Sequence, residues 1–285
     1  MTTTTATWAT VVVRVGADDA DLVSGLFWGA GVAGVEERPT DDADVVELRA
    51  GVPAELVDVT VTAVSCPAVG ALVVVEPVAD DGLDCWRQYA RPWRAGSRIV
   101  VVPSWQEPPA WTGPDDLVLS VDPGRAFGSG AHPTTRMCLA ELERLVEPDS
   151  AVADIGSGSG VLAVAAARLG AALVVAVDID PEAVRATAEN AERNGVTGVV
   201  TTSDTPAEQL EAGAYDLVVA NIAAGTLAQL APALVRAVAD DGTIVVSGVL
   251  DEQVGPVLAA FEAEGLGLAG TVADDDWRTL LVRRP

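Results

Sequence analysis

Ala151-Val-Ala-Asp154-Ile-Gly156-Ser-Gly158-Ser-Gly160 decides the fold of this 285-residue chain. Ala151 to Ile155 is a short apolar run of the length of a buried strand. The glycines that follow let the backbone turn sharply into a helix expected over Ser159–Leu169. A strand, a glycine-rich turn and a helix open a doubly wound α/β domain with a parallel sheet. The alternation continues downstream. Strands are predicted at Leu173–Asp178, Val199–Thr202, Tyr215–Ile222 and Thr243–Leu250, with helices at Pro181–Asn194 and Thr226–Val238. Asp180 before Pro181 supplies an N-cap with proline at the first helical position, and Gly195 closes that helix. The tail reads as two final strands, Leu266–Val272 and Trp277–Arg283, joined by Asp274-Asp275-Asp276.

Upstream the pattern differs. Val11–Val15 reads as a strand, Ala20–Ala30 as a helix, Val32–Arg38 and Val45–Arg49 as strands, Pro53–Val64 as a helix and Ala71–Val78 as a strand. The order βαββαβ is that of a ferredoxin-like split unit, which by itself says nothing about chemistry. Between the two patterns lies an expected connector carrying Trp86, Trp93, Trp105 and Trp111, bulk that suits a packed segment between domains. The expected partition is residues 1–78, 79–120 and 121–285.

With 49% hydrophobic residues the chain can bury a large core, and no apolar run reaches the roughly 18 residues of a membrane span. No secretory signal is visible at the N-terminus, and Cys66, Cys85 and Cys138 are few and widely spaced. These features suit a reducing cytoplasm and exclude a zinc cluster built on cysteine pairs; no metal is expected. The net charge is −25, and all 17 basic residues are arginine. Such a field repels nucleic-acid backbones and favours a basic protein partner, although compositional bias of a whole genome would produce the same balance.

Asp178 follows Gly156 by 22 residues, at the tip of the second strand, where an acidic side chain accepts hydrogen bonds from ribose hydroxyls. A nicotinamide dinucleotide would use the same pair of features, and Gly158, Gly160 and Ala163 satisfy the looser G-x-G-x-x-A pattern. Three observations favour S-adenosylmethionine. Asp154 brings negative charge to a helix start that a pyrophosphate needs free of it, whereas the ammonium of a methionine moiety tolerates it. Asn221 ends the fourth strand at the carboxyl edge, where ligands bind in such sheets. A second glycine-rich stretch, Asp122-Pro-Gly-Arg-Ala-Phe-Gly-Ser-Gly-Ala-His-Pro-Thr-Thr135, can fold over the methionine end.

Methyl transfer to an amine requires nucleophile and methyl held in line, after the amine has lost its proton. The catalytic edge reads Asn221-Ile-Ala-Ala, without an aromatic ring to stack a planar acceptor. That points to a flexible aliphatic amine, a lysine side chain or an N-terminus. His132, the one histidine, has two candidate roles: relaying a proton or orienting its loop. Phe127 either faces the cofactor or target lysine, or fills the loop's own small core. Thr135 is expected to cap a helix beginning near Arg136 and to touch the cofactor.

These residues resemble the PrmA-type methyltransferases, which modify large-subunit ribosomal protein eleven. The likeness lies in Asp122-Pro-Gly, Ala126-Phe-Gly, Gly130 and His132-Pro-Thr-Thr, with Ser129 and Ala131 in place of the usual threonines. Asp154-x-Gly-x-Gly-x-Gly160, Pro103-Ser-Trp105 and Asn-Ile-x-Ala at Asn221 are also similar. The resemblance implies a class I methyltransferase domain behind a ferredoxin-like domain that recognises the ribosomal protein and swings about the connector. It carries the family's cofactor contacts onto Thr135, Gly156, Asp178 and Asn221, and implies a cytoplasmic protein-lysine N-methyltransferase. The alternatives are the same chemistry on another small basic protein, a nicotinamide-dependent oxidoreductase, and a non-catalytic binding module.

Overall fold

The computed structural model describes residues 8–32, 34–42, 44–53, 56–65, 72–77, 90–122 and 132–285. The chain divides into two units, Met1–Tyr89 and Ala90–Pro285. In the first, β1 (Trp8–Gly16), α1 (Ala20–Gly29), β2 (Glu36–Pro39), β3 (Val45–Pro53), α2 (Val57–Val64) and β4 (Leu72–Pro77) follow in the expected βαββαβ order. The sheet runs β2-β3-β1-β4 with every neighbouring pair antiparallel, the ferredoxin-like arrangement. Alternation decides which side is buried. Val11, Val13 and Val15 of β1 and Leu48, Ala50 and Val52 of β3 meet Val23 and Phe27 of α1 and Val64 of α2.

The second strand is shorter than Val32–Arg38. Val32 is instead a buried residue whose N–H bonds to Phe27 O, closing α1 past the left-handed Gly31. β3 is longer than expected, running on to Pro53 to pair with Trp8 at the start of β1.

The second unit opens with a small sheet absent from the sequence reading. β5 (Trp93–Ala95), β6 (Ile99–Pro103) and β7 (Leu117–Val121) pair antiparallel and then parallel. Thus residues 90–120 of the expected connector fold with the C-terminal unit. Ile99, Val101 and Leu119 share a core with Leu139 and Leu142 and with the first helix of the central domain, and Trp93 packs against it. Trp111 is half exposed beneath the Arg94 guanidinium, 5.2 Å from its ring, and Trp86 lies outside the described residues.

The central domain contains α3 (Pro133–Leu145), β8 (Ala151–Ile155), α4 (Val161–Leu169), β9 (Leu173–Val177), α5 (Pro181–Arg193), β10 (Val200–Ser203) and β11 (Tyr215–Asn221). It continues with α6 (Ala224–Ala237), β12 (Val238–Leu250), α7 (Val254–Ala263), β13 (Gly267–Asp274) and β14 (Trp277–Arg283). Helix α7 had no counterpart in the sequence reading. The sheet order is β10-β9-β8-β11-β12-β14-β13; the first five strands are parallel and β14 lies antiparallel between β12 and β13. The chain reverses its direction of winding between β8 and β11, so a crevice opens at their carboxyl ends. This is the Rossmann-like fold expected, with the antiparallel terminal hairpin.

Among the described residues no helix is long and apolar enough to cross a membrane, and no cluster of side chains could hold a metal. Cys138 is fully buried, and burial pushes its thiol up to about 12, so it is no nucleophile. Cys66 and Cys85 lie outside the described residues.

Candidate active site

A cavity of about 800 Å³ occupies the crevice. Its walls come from the start of α3, the turns after β8, β9, β10 and β11, the end of β12 and the start of β14. The predicted residues His132, Thr135, Gly156, Gly158, Asp178 and Asn221 all line it.

The glycine-rich turn is held from inside. Gly156 N–H (2.8 Å) and Ser157 N–H (3.1 Å) both donate to Val177 O, and Gly160 N–H donates to Ser157 O at 2.7 Å. Gly158 N–H donates to Asp178 Oδ2 at 2.9 Å, while Asp180 N–H donates to Oδ1 at 3.0 Å. Asp178 is thus fixed by two backbone donors, and each carboxylate oxygen keeps a lone pair for a ligand hydroxyl. Ile179, 89% exposed at the cavity edge beside it, offers an apolar platform.

Glycine is required where another strand comes close. Gly156 has φ +73°, and a Cβ there would lie 2.3 Å from Ile222 Cγ2. Gly248 on β12 has φ +84°, and its Cβ would lie 2.4 Å from Ile222 O. The Asn221-Ile222 edge is therefore clasped between two glycines.

Asp154 and Gly160 stand behind the cavity and not in its lining. Asp154 is fully buried and accepts Ala163 N–H at 3.0 Å, so it caps the first turn of α4 from the neighbouring strand. Its other oxygen has no partner. Burial, with a smaller contribution from the Asp178 charge, pushes its carboxyl up to about 7 against the opposing Ala163 hydrogen bond. Gly160 is left-handed at φ +75°, and a Cβ there would strike Thr187.

On the opposite wall, Asn221 Nδ2 donates to Thr135 Oγ1 at 3.1 Å, joining residues 86 apart in sequence. Thr135 does not cap a helix. α3 begins at Pro133, and His132 is the N-cap, its Nδ1 accepting Thr134 N–H at 3.4 Å and meeting Thr134 Oγ1 at 2.8 Å. Nδ1 is thus engaged by Thr134 on the first turn of α3, the contact that orients the ring at the cavity wall. The ring packs edge-on to Trp277, with centroids 4.9 Å apart. Phe127 lies outside the described residues.

Sequence reasoning missed Thr134, Ile222, Gly248, Leu250, Gln253 and Trp277, which also line the cavity. Trp277 stood at the head of a predicted strand. Only the antiparallel insertion of β14 beside β12 brings it to this edge.

The donor set discriminates between ligands. Four of the five N–H groups from Gly156 to Gly160 are spent within the protein, and a buried carboxylate occupies the helix start. A pyrophosphate needs free N–H groups and the positive end of the helix dipole. The residues present fit a ribose carried on an uncharged or cationic linker, as in S-adenosylmethionine, and do not fit a dinucleotide.

Known proteins with this combination of features are close at hand. The chain is 49% identical over 204 residues to the Ribosomal protein L11 methyltransferase of Pelotomaculum thermopropionicum, covering 72% of this chain and 66% of that protein. It is 47% identical over 212 residues to the protein of the same name from Citrifermentans bemidjiense, covering 72% and 68%. The chain thus spans about two thirds of the length of these relatives. A crystal structure of ribosomal protein L11 methylase from Lactobacillus delbrueckii subsp. bulgaricus superposes with a TM-score of 0.62 at 32% identity, over 68% of this chain and 99% of that one. The model of the family Ribosomal protein L11 methyltransferase (PrmA) matches residues 71–285, and the chain belongs to that family.

Proposed function

We propose that this protein transfers methyl groups from S-adenosylmethionine to amines of ribosomal protein L11, on lysine side chains and the N-terminal amine, in the cytoplasm. The observation that carries the reading is the convergence of Thr135, Gly156, Gly158, Asp178 and Asn221 on one cavity that suits a ribose and rejects a pyrophosphate. When bound, the cofactor supplies a methyl group already activated on a sulfonium.

The protein's part is then binding, orientation and exclusion of water. The Asp178 carboxylate, held by Gly158 and Asp180 N–H, receives the ribose hydroxyls. Ile179 covers an apolar base, and the Gly156–Gly160 turn admits the methionine end without a Cβ in the way. Asn221 gives its amide hydrogen to Thr135, which leaves Oδ1 to accept a hydrogen bond from the incoming amine and hold its lone pair in line. An amide is no base, so the ammonium gives up its proton to solvent before transfer. The Trp277 ring and His132 form an amphipathic wall on which an alkyl-ammonium chain can rest. The first unit, most of which precedes the matched residues 71–285, is assigned to recognition of the substrate.

Incubation with isotopically labelled S-adenosylmethionine and purified ribosomal protein L11, read by mass spectrometry, tests the proposal. Label on its amines is expected. Label on another basic protein would keep the chemistry and overturn the target, and absence of cofactor binding would overturn both.

A further inference from the structure

Helix α5 turns a mixed face to the core. Ala183, Ala186 and Ala191 are buried as an amphipathic helix requires, yet Thr187 and Asn190 are fully buried among them. A buried carboxamide is costly unless it is satisfied. That of Asn190 is saturated. Its Nδ2 donates to Asp122 O at 2.7 Å and to Ser159 O at 2.8 Å. Its Oδ1 accepts Asp122 N–H at 2.9 Å and Arg193 Nη1 at 2.5 Å. Two donors and two lone pairs are all that a carboxamide has.

The two partners belong to different segments. Asp122 directly follows β7 and is not itself among the cavity-lining residues. Ser159 is in the glycine-rich turn and lines the cavity directly. One planar group therefore spans segments 68 and 31 residues away in sequence. Thr187, one turn earlier on the same face, adds to the grip: its Oγ1 donates to Gly158 O at 3.1 Å and meets Ser157 Oγ at 3.0 Å.

Asn194, one turn later, provides a natural control. It binds one peptide unit of β7 in the same way, accepting Ser120 N–H at 2.9 Å and donating to Ser120 O at 2.7 Å. Neither Asn194 nor Ser120 is among the cavity-lining residues.

We propose that Asn190 is a positioning residue for cofactor binding, its carboxamide fixing the glycine-rich turn against the exit of β7 and so holding that wall of the cavity in place. The inference rests on the reading of the cavity as an S-adenosylmethionine site. Loss of the amide leaves Asp122 N–H and the carbonyls of Asp122 and Ser159 without this partner, and the turn is free to shift. Small displacements in such a site cost large factors.

The test is calorimetric titration of the full chain with S-adenosylmethionine and with its demethylated product, for wild type, Asn190→Ala and Asn194→Ala, alongside melting temperatures. Asn190→Ala is expected to weaken binding about tenfold or more, and Asn194→Ala to stay within about threefold at a comparable loss of melting temperature. Steady-state kinetics should show the cofactor KM rising more than kcat falls. Should Asn190→Ala fail to fold, Asn190→Asp keeps the shape and the acceptor while removing both donors, and the same loss is expected. Equal affinities in the two positions, or losses that merely track melting temperature, would overturn the inference. No binding by the wild-type protein would instead overturn the proposed function.

Discussion

Replacing Asp154 with asparagine removes a charge that the fold holds at a disadvantage. The side chain is fully buried, one oxygen accepts Ala163 N–H, and the other has no partner. Its carboxyl is pushed up from 3.8 to about 7, chiefly by burial. A raised carboxyl pKa means that the folded state binds more protons than the unfolded state between the two values. Stability therefore falls as pH rises through that window, and the full penalty is present above about 7. The rise from 3.8 to about 7 corresponds to roughly 4 kcal/mol in total, of which about half or more is lost between about pH 5 and about pH 8. The interval is well chosen because Asp116, held down to about 2 by Arg94, is ionised throughout it in both states. Asparagine keeps an acceptor for Ala163 N–H without the charge. Urea unfolding at a series of pH values should therefore show wild type losing stability across the interval and Asp154→Asn staying flatter, so that the variant overtakes it at the alkaline end. Parallel profiles for the two proteins would refute the argument, because they would mean that the carboxylate is solvated or paired in the folded state.

Gly156→Ala forces a left-handed backbone on alanine and drives its Cβ toward Ile222. A loss of about 1–3 kcal/mol in thermal stability is expected, together with weaker cofactor binding; an unchanged melting temperature would count against the close approach. Asn221→Ala removes the donor to Thr135 and the acceptor for the amine. Its kcat should fall by about a hundredfold while cofactor affinity, measured by titration, changes far less. His132→Asn replaces one good N-cap by another. Activity should stay within about tenfold if the ring only orients its segment, whereas loss by a factor of about 10² to 10⁴ would assign it a proton-relay role.

The parallel sheet was legible because its strands are short continuous apolar runs, separated by helices whose caps are written out, as at Asp180-Pro181 and Gly195. The cofactor edge was legible for a related reason. Glycines at a strand–helix turn and an acid at the next strand tip sit at fixed offsets, so the turn meets Asp178 through Gly158 N–H. The small sheet of β5, β6 and β7 was hidden because Ile99–Pro103 is buried on both faces and shows no alternation to mark it as a strand. Thr135 was misread as a cap because threonine at a helix start is a common signal, and His132 ahead of proline a rarer one. Trp277 reaches the cavity only through the pairing of β14 with β12, and Gly248 through that of β12 with β11, contacts between strands that no local pattern encodes.

Asp154 and Asn190 share a logic that no reading of the cavity walls alone would reveal. Both are polar, buried and outside the lining, and both spend their hydrogen bonds on the glycine-rich turn or on the helix that follows it. Val177 O and Asp178 meanwhile take the N–H groups of Gly156, Ser157 and Gly158, the donors that the same turn in a dinucleotide site would offer to phosphate. The sequence pattern of glycines is thus compatible with two cofactor classes, and the side chains beneath it make the choice. A turn whose N–H groups are already paired within the protein gives little stabilisation to an anion. It can still give shape to a neutral ribose and tolerate a cationic neighbour, which is the chemistry the proposed methyl donor requires.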